Sequence, residues 1–386
     1  VVFTVFLQRI FNISVTVLYI FNIHIRELRH CGCRMTMMSV RYSVDIVLHR
    51  QHLTYTISGD MHSLCLMFFA VCLKMSNFAH IWLNQPINNR FAMKDICCLG
   101  HITKDKIITP RKTVYMSGGT SFYFSYAFNS LPHRVPFRLV TKLGEEDMDA
   151  VRLMRGAGID VEVRRSRHTV YFENKYGDNQ NERTQRVLEK ADPFTVEDVS
   201  GLDAGIYHLG SLLADDFSPE VVEYLSQRGS ISIDAQGYLR DVRGHDVHAV
   251  DWEDKLRILA LTDIIKVNEH EMQVITGLSD ARDAALRLAG WGVKEVVVTL
   301  GSEGSLIYAD GCFHEIPAYA PREIVDATGC GDTYSAGYLY CRALGAGYSE
   351  AGRFAAAMCT LKLEHNGPFD RTAAEAEALV RGERRG

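Results

Sequence analysis

The run DATGCGDTYSAGYLYCRALG, residues 326–345, places two glycines and then an acid at the start of a helical pattern. The first N–H groups of a helix lack partners inside it, and the helix dipole adds partial positive charge there. Gly329, Cys330 and Gly331 are therefore predicted to direct N–H groups at one anion, most often a phosphate group. Asp332 would repel that anion. Its presence is explained if it takes a proton from a hydroxyl group that attacks the phosphate.

A second interpretation of this turn remains open. It could be a glycine-rich helix start whose acid stabilises the helix dipole and has no chemical role. Two glycines without a third at the required spacing are poor evidence for a dinucleotide-binding fold. An unperturbed aspartate is ionised at neutral pH, which suffices for a base if the attacking hydroxyl loses its proton late.

Composition limits the possible classes of protein. The chain has 386 residues, of which 47% are hydrophobic, enough for one large or two ordinary domains. Its net charge of -5 gives no electrostatic reason to expect nucleic acid or an anionic membrane as a partner. The ten cysteines are scattered, and the neighbouring pairs Cys31/Cys33 and Cys97/Cys98 lack the spacing of a zinc or redox motif. We therefore expect free thiols and a cytoplasmic protein.

Residues 1–92 differ in composition from the rest of the chain. They hold eight basic and three acidic residues, with a single lysine, Lys74, and a single glutamate, Glu27. The uncharged run 10–25 is shorter than the ~20 apolar residues that a membrane-spanning helix needs. Three interpretations remain: an added domain, a targeting or membrane segment, or sequence outside the functional fold. We favour the third, which predicts an atypical extension over 1–92 and a functional chain that begins at Met93.

From residue 93 onward, short apolar runs alternate with helical patterns. The predicted strands are Ile96–Gly100, Arg138–Leu143, Ile206–Leu209, Ser230–Asp234, Ile264–Val267 and Glu295–Thr299. The predicted helices are Glu145–Ala157, Pro219–Arg228, Trp252–Leu261, Glu269–Thr276, Ala281–Ala289, Asp332–Leu344, Ser349–Glu364 and Ala373–Arg381. Strands separated by helices of this length pair in parallel through right-handed crossovers. The sequence therefore predicts an α/β fold with a doubly wound, mostly parallel sheet flanked by helices.

Two segments, about 106–116 and 160–176, are β-like and have no helix between their strands. Residues 161–163 and 170–172 are interpreted as an antiparallel pair, and 175–190 as a polar, mobile loop. These segments predict a small projecting β-sheet that acts as a lid over the carboxyl ends of the parallel strands, where ligands bind in open α/β sheets. Its exposed edges would also allow a homodimer to form.

The motifs resemble those of the ribokinase-like (PfkB) carbohydrate kinase family, and they occur in the family's order over most of residues 93–386. The carboxy-terminal signature of that family is similar to DATGCGD at 326–332, with Ala and Cys where Thr and Ala are usual. Companion motifs are SGG at 117–119, NEHE at 268–271 and TLGSEG at 299–304. The resemblance implies a ribokinase-like fold and ATP-dependent phosphotransfer to a hydroxyl of a sugar or polyol, with Mg²⁺ and, in many members, K⁺.

The resemblance also implies roles for single residues, with Asp332 as the base and Gly329, Cys330 and Gly331 as the anion hole. The residues expected to bind the substrate are Asp105, Gly118, Gly119, Asp234, Gln236 and Arg240. Those expected to bind the nucleotide are Thr299, Gly301, Gly304 and Asn366. Asn268 and Glu271 would position Mg²⁺, partly through water, and Asp326 and Thr328 would bind the monovalent cation.

Departures from the family pattern leave the acceptor open. Aromatic residues follow Gly119, in the run TSFY at 120–123, which argues against ribose and for a ring packed on an aromatic face. The runs NERTQRVL at 181–188 and DAQGYLR at 234–240 look more like the inositol-kinase branch. Cys330 is expected to act through its backbone N–H, and its thiol would be reactive if the site lowered its pKa. The alternatives are a non-catalytic sugar-binding protein on the same fold and a nucleoside kinase.

Overall fold

The computed structural model describes residues 41–48, 53–60, 95–176 and 183–383. The chain divides into two compact units, Val1–Asn89 and Arg90–Gly386. In the first unit, strands β1 (Arg41–Leu48) and β2 (Leu53–Asp60) form an antiparallel pair. The prediction for residues 1–92 concerns positions that lie mostly outside the described residues, and it stays a prediction.

The described strands of the second unit form two sheets. In chain order they are β3 (Ile96–Leu99), β4 (Thr103–Ile108), β5 (Thr113–Gly118), β6 (Phe137–Leu143), β7 (Val161–Arg165), β8 (Val170–Tyr176), β9 (Arg183–Glu189), β10 (Ile206–Gly210), β11 (Ser230–Asp234), β12 (Arg240–Arg243), β13 (Asp246–Ala249), β14 (Ile264–Asn268), β15 (Glu295–Thr299), β16 (Ser305–Ala309) and β17 (Cys312–Ile316). The larger sheet has nine strands in the order β17-β16-β15-β14-β11-β10-β3-β6-β7. Neighbours from β7 to β15 run parallel, whereas β16 and β17 are antiparallel additions at the edge.

Ten α-helices lie between or after these strands in the described residues. They are α1 (Thr120–Asn129), α2 (Met148–Gly156), α3 (Val196–Val199), α4 (Pro219–Ser226), α5 (Lys255–Leu259), α6 (Glu269–Thr276), α7 (Ala281–Gly290), α8 (Cys330–Ala343), α9 (Tyr348–Leu363) and α10 (Ala373–Val380). Capping boxes begin α3 at Thr195, α6 at Asn268 and α10 at Thr372, which satisfies N–H groups that these helices would otherwise leave unpaired. In this described part of the chain, no helix combines the length and the apolar character that crossing a bilayer requires.

Helices cover both faces of the large sheet, as the alternation along β3 shows. Ile96 and Cys98 belong to the apolar core formed with α1, α2, α8, α9 and α10. Cys97 and Leu99 point to the opposite core, formed with the remaining helices α3 to α7. All four β3 residues are buried, as expected for a strand with helices on each side. The predicted doubly wound α/β fold is confirmed.

The smaller sheet, which we call the lid sheet, has six strands in the order β12-β13-β9-β8-β4-β5. The antiparallel pair predicted between residues 161–163 and 170–172 is wrong. Residues 161–163 lie in β7, which pairs in parallel with β6 at the edge of the large sheet. Residues 170–172 lie in β8 of the lid sheet, parallel to β4. An alternating pattern shows which face of a strand is buried, but it does not identify the partner strand.

The lid sheet also contains strands that the sequence pattern did not reveal. The interpretation of residues 175–190 as a mobile loop is wrong for Arg183–Glu189, which forms β9 against β8. Strands β12 and β13 add a short antiparallel ribbon to β9. Their polar side chains resemble those of a loop, because one face of a lid strand stays in contact with water.

Helix α1 was also missed by the sequence analysis. Its sequence TSFYFSYAFN is aromatic, and most of its residues are buried, including Phe124 and Phe128. The helix lacks the polar face that produces a recognisable period of 3.6 residues. In the larger sheet, by contrast, the six strands predicted for it agree with observed strands to within one residue at each end, whereas β16 and β17 were not predicted.

Candidate active site

The start of α8 forms a compact turn suited to an anion. Its N-cap residue, Gly329, has a φ of 77°, a left-handed conformation that glycine adopts without steric strain. Among the described residues, no carbonyl or side-chain oxygen accepts a hydrogen bond from the backbone N–H groups of Gly331 or Asp332. These two N–H groups, together with the helix dipole, can therefore hold a bound anion.

Cys330 departs from the prediction for this turn. Its N–H donates to the carbonyl oxygen of Ala327 at 3.2 Å, so it is already used within the protein. The N–H groups left for an anion are those of Gly331 and Asp332, one and two positions further along. Burial raises the pKa of the Cys330 thiol to about 11. The thiol is therefore protonated at neutral pH, and the reactivity considered from the sequence is not expected.

Gly329 is also required by its neighbour in α1. A Cβ atom at Gly329 would lie 2.5 Å from Cδ1 of Tyr123. We expect Gly329→Ala to lower the unfolding free energy by about 2–5 kcal/mol, from the left-handed backbone and from overpacking together. Gly201→Ala is the matched control, because Gly201 has a similar φ of 81° but a Cβ atom there would meet no heavy atom within 4 Å. If urea denaturation showed equal losses of unfolding free energy in Gly329→Ala and Gly201→Ala, the contact with Tyr123 would not be the cause.

A buried ion pair stands beside the turn. Lys266 of β14 contacts Asp234, at the end of β11, with 2.7 Å between Nζ and Oδ2. Both side chains are almost fully buried. A Cβ atom at Gly331 would lie only 2.8 Å from Nζ of Lys266, so the lack of a side chain at Gly331 makes room for the ammonium group. The parallel register of β11 and β14 brings the pair together, since Asp234 lies opposite Lys266.

Asp332 lies in the electrostatic field of this pair. Burial is the main cause that raises its pKa to about 8, and the negative charge of Asp234 raises it further. The positive charges of Lys266 and Arg240 act in the opposite direction. Part of the Asp332 side chain remains accessible, because the residue is only half-buried. The acid is therefore a stronger base than an ordinary aspartate, although it carries a proton over more of the neutral pH range.

Asn268 and Glu271, predicted to position Mg²⁺, form the capping box of α6. Asn268 Oδ1 accepts from the Glu271 N–H at 2.9 Å, and Glu271 Oε2 accepts from the Asn268 N–H at 2.9 Å. The second carboxylate oxygen accepts from Asn268 Nδ2 at 2.8 Å. Burial raises the pKa of Glu271, and nearby Lys266 opposes that shift. This pair therefore has a structural role as a helix cap whatever it binds.

The surroundings of Glu271 nevertheless suit a divalent cation. The acids Asp234, Glu271 and Asp332 lie together with two bases, Lys266 and Arg240, in this cluster. When all three acids are ionised, these five groups carry one net negative charge on oxygen atoms, which favours Mg²⁺. Within the described residues, no group of three or more His, Cys, Asp or Glu side chains could enclose a metal ion. Mg²⁺ commonly uses one or two carboxylates and completes its shell with water and phosphate, so the residues present fit it.

The residues predicted near the acceptor come together where the lid sheet meets α1. Gly118, at the end of β5, lies so close to Asp105 of β4 that a Cβ atom would be 2.4 Å from its Oδ2. Asp105 Oδ1 accepts a hydrogen bond from the Thr103 hydroxyl at 2.7 Å. Gly119 is the N-cap of α1 with a φ of 97°, and a Cβ atom there would lie 2.7 Å from the carbonyl oxygen of His101. The structure therefore groups Asp105, Gly118 and Gly119 as predicted.

Gln236 and Arg240 follow Asp234 along the chain. The Gln236 N–H donates to Asp234 Oδ1 at 3.3 Å, which begins a short 3-10 turn. Arg240 is the first residue of β12 and interacts electrostatically with both Asp332 and Glu271. This turn therefore connects the large sheet to the lid sheet beside the acidic cluster.

The residues predicted to bind the nucleotide lie in two places. Thr299 ends β15 directly opposite Asn268 of β14. Gly301 and Gly304 bound the turn that follows, and a Cβ atom at Gly304 would lie 2.1 Å from the carbonyl oxygen of Ile316, so close packing alone requires that glycine. Asn366 is exposed in the turn after α9, apart from the other three along the chain.

Asp326 was predicted to bind a monovalent cation with its oxygens, but these oxygens already have partners in the protein. The turn itself forms, since the Thr328 N–H donates to Asp326 Oδ1 at 2.9 Å. Nζ of Lys362, however, contacts both the carbonyl oxygen of Asp326, at 3.1 Å, and its Oδ2, at 3.3 Å. The pKa of Asp326 is lowered: burial raises it, but the hydrogen bonds from Thr328 and the charge of Lys362 outweigh burial. Residues that already hold an ammonium group do not fit K⁺, which corrects the prediction of a monovalent cation site at Asp326 and Thr328.

Lys266 and Lys362, which supply positive charge near the anion-binding turn, were not predicted from the sequence. Each lies in an apolar run, IIKVN at 264–268 and MCTLKLE at 358–364. A lysine within such a run indicates a buried charge that must have a partner, because an unpaired charge is rarely buried. The sequence shows that each lysine needs a partner, but not which acid or carbonyl provides it.

Comparisons with known proteins show the family to which this chain is similar. The family model described as "pfkB family carbohydrate kinase" matches residues 156–372, more than half of the chain. The cytidine kinase of Thermococcus kodakarensis is 30% identical over 274 residues, which is 67% of this chain and 89% of that protein. The nucleoside kinase of Methanothermobacter thermautotrophicus is 37% identical over 36% of this chain and 43% of its own length.

Solved structures show the same architecture. A pyrophosphate-dependent kinase in the ribokinase family, complexed with a pyrophosphate analogue and myo-inositol, has a TM-score of 0.66 and 27% identity. It covers 73% of this chain and 99% of its own. Ribokinase of Arabidopsis thaliana, complexed with ribose and ATP, has a TM-score of 0.62 and 19% identity over 75% of this chain and 99% of its own, which supports the fold alone.

Proposed function

The chain belongs to the pfkB family of carbohydrate kinases, and from this premise we propose that it transfers the terminal phosphoryl group of ATP to a hydroxyl group of a sugar or polyol. The observation that carries the proposal is the arrangement at the start of α8. Unpaired N–H groups, the ammonium group of Lys266 and the carboxyl group of Asp332 meet there. An anion site beside a strong carboxylate base suits attack of an alcohol on a phosphate.

In the proposed reaction, the acceptor oxygen attacks the terminal phosphorus as the bond to the ADP oxygen breaks. The hydroxyl proton passes to the carboxylate of Asp332. The N–H groups of Gly331 and Asp332 stabilise the negative charge on the phosphoryl oxygens, helped by the Lys266 ammonium. Asn268 and Glu271 would hold Mg²⁺, which supplies positive charge for the phosphates when bound.

On the acceptor side, Asp105 would accept hydrogen bonds from substrate hydroxyls. Gly118 and Gly119 would let the backbone approach the ring. Asp234, Gln236 and Arg240 would border the same space from the carboxyl end of β11 and from the turn that leads to the lid sheet. The nucleotide would lie against Thr299, Gly301, Gly304 and Asn366. These roles, a homodimer through the lid sheet and a cytoplasmic location stay predictions.

A nucleoside is the second candidate acceptor. The cytidine kinase relative, similar over 89% of its own length, favours it. The structural neighbour complexed with myo-inositol favours a cyclic polyol instead. Both kinds of acceptor present alcohol hydroxyl groups, so a base at Asp332 could serve either one.

The test is ADP release by the full chain with ATP and Mg²⁺ across a panel of sugars, inositols and nucleosides. We expect release that depends on one class of acceptor. A parallel series with pyrophosphate in place of ATP, followed by phosphate release, tests the donor. If a sugar or nucleoside binds in calorimetry but no donor is consumed with any acceptor, the protein is a binding protein and the proposal is wrong.

The raised pKa of Asp332 predicts the pH dependence of the reaction. Because the base must be unprotonated, kcat/KM should increase with pH and level off above its pKa of about 8. Asp234→Asn removes a neighbouring negative charge, so the pKa of Asp332 should fall and the rising limb should move to lower pH. The control is Asp263→Asn, because Asp263 also pairs with a lysine, Lys294, but is not among the charges that shift the pKa of Asp332. If the rising part of the pH profile of kcat/KM did not move in Asp234→Asn, Asp332 would not be the base that this profile reports.

A further inference from the structure

The ammonium group of Lys362, in the last turn of α9, is buried among oxygen atoms. Its side chain has 0% exposure. Nζ donates to the carbonyl oxygen of Asp326 at 3.1 Å, to Asp326 Oδ2 at 3.3 Å and to the carbonyl oxygen of His365 at 3.2 Å. A lysine ammonium has three N–H donors and no acceptor, so three oxygens satisfy it. Two backbone carbonyls and one carboxylate are also the kind of ligand set that a hard metal cation uses.

These contacts join two turns of the chain. The first turn begins at Asp326 and leads into Gly329 and the start of α8. The second turn follows α9 at His365, and the Gly367 N–H also donates to Asp326 Oδ2 at 3.3 Å. One positive charge thus holds the turn that forms the anion site against the turn after α9. Without a positive charge, two carbonyl oxygens and a half-buried carboxylate would face each other, which is unfavourable.

We propose that Lys362 takes the place of a monovalent metal cation, so that this protein orders its anion-binding turn without K⁺. The charge is covalently attached and is present at every salt concentration, whereas a bound ion would contribute only when its concentration exceeds its dissociation constant. This inference goes beyond the proposed function, since it concerns what holds the turn in place and needs no turnover to be tested.

The first test compares thermal unfolding of the full wild-type chain in KCl and in choline chloride at equal ionic strength. We expect the two Tm values to agree within about 1 °C, since no cation-binding free energy is added to the folded state. A K⁺-specific increase of several degrees in the wild-type protein would overturn the proposal. This measurement requires no variant and no substrate, so its outcome is independent of whether the protein is a kinase.

The second test removes the charge. Lys362→Met should lower the Tm in choline chloride by on the order of 10 °C, because the half-buried carboxylate of Asp326 and the two carbonyl oxygens lose their shared positive charge. KCl should restore at least half of that loss, because K⁺ can occupy the vacated space among the oxygens. A folded Lys362→Met protein with the same Tm in both salts would overturn the proposal. If this variant does not fold in either salt, the comparison of the wild-type Tm in KCl and in choline chloride tests the proposal by itself.

Lys142→Met is the matched control. Lys142 is also a buried lysine, and its Nζ contacts the carbonyl oxygen of Pro193 at 2.9 Å and Asp198 Oδ2 at 2.6 Å. Its loss should destabilise the protein, but with one carbonyl and one carboxylate oxygen it should not create a K⁺ site. An equal K⁺ rescue of Lys142→Met and Lys362→Met would mean that the rescue is a general salt effect, which would also overturn the proposal.

Discussion

Asp332→Asn is expected to lower turnover by about 10²–10⁴-fold, the usual contribution of a general base. The amide has nearly the same size and shape as the acid, so it leaves the turn at Gly331 intact. It cannot accept the hydroxyl proton, however. The measurement is kcat for the acceptor found in the panel, over a range of pH, because a shifted pKa can otherwise resemble a lost base.

The folded structure should tolerate this substitution. Burial and the charges of Asp234 and Glu271 all disfavour ionised Asp332, so a neutral amide removes an unfavourable interaction. The unfolding free energy at neutral pH should therefore stay the same or increase slightly. The control is Asp283→Asn, since Asp283 is likewise an acid in the first turn of a helix, α7, but is exposed. Turnover by Asp332→Asn close to that of Asp283→Asn would rule out the proposed mechanism.

The second large effect is expected at the buried ion pair. Lys266→Met should lower the unfolding free energy by about 3–5 kcal/mol, because Asp234 would be left as an unpaired buried charge. The double variant Lys266→Met/Asp234→Asn should recover much of this loss, since it leaves no charge behind. Urea denaturation of the wild-type protein, both single variants and the double variant would give the coupling free energy.

An exposed pair provides the comparison. Lys294 contacts Asp263 with 2.5 Å between Nζ and Oδ1, but the lysine side chain is 74% exposed. Lys294→Met should therefore cost less than about 1 kcal/mol. If Lys266→Met cost no more than Lys294→Met, the Asp234–Lys266 pair would not be the buried interaction described above. Lys266→Met should also lower kcat, since the ammonium group that it removes lies beside the anion-binding turn.

Much of the architecture could be read from the sequence because it depends on local patterns. The strands at Ser230–Asp234 and Glu295–Thr299 have the predicted bounds, and so does helix α6 at Glu269–Thr276. Apolar periodicity and capping residues act over one or two turns of chain, so they are visible without knowledge of distant contacts. Family membership, inferred from motifs in their order, is confirmed.

Tertiary contacts decided what local patterns could not. The partner of β7 proved to be β6 in the large sheet, because a strand's own sequence does not specify which edge it joins. The pKa of Asp332 depends on Asp234, which lies 98 positions away along the chain, so this shift arises only in the folded protein.

The amino-acid sequence by itself determined the alternating α/β order, the glycine turn at Gly329 and Gly331, and the acid that follows them. The folded chain alone decided that lysines, Lys266 and Lys362, supply the positive charges around that turn. The physical reason is that a buried charge is defined by the oxygens that surround it, and those oxygens come from segments far apart in sequence.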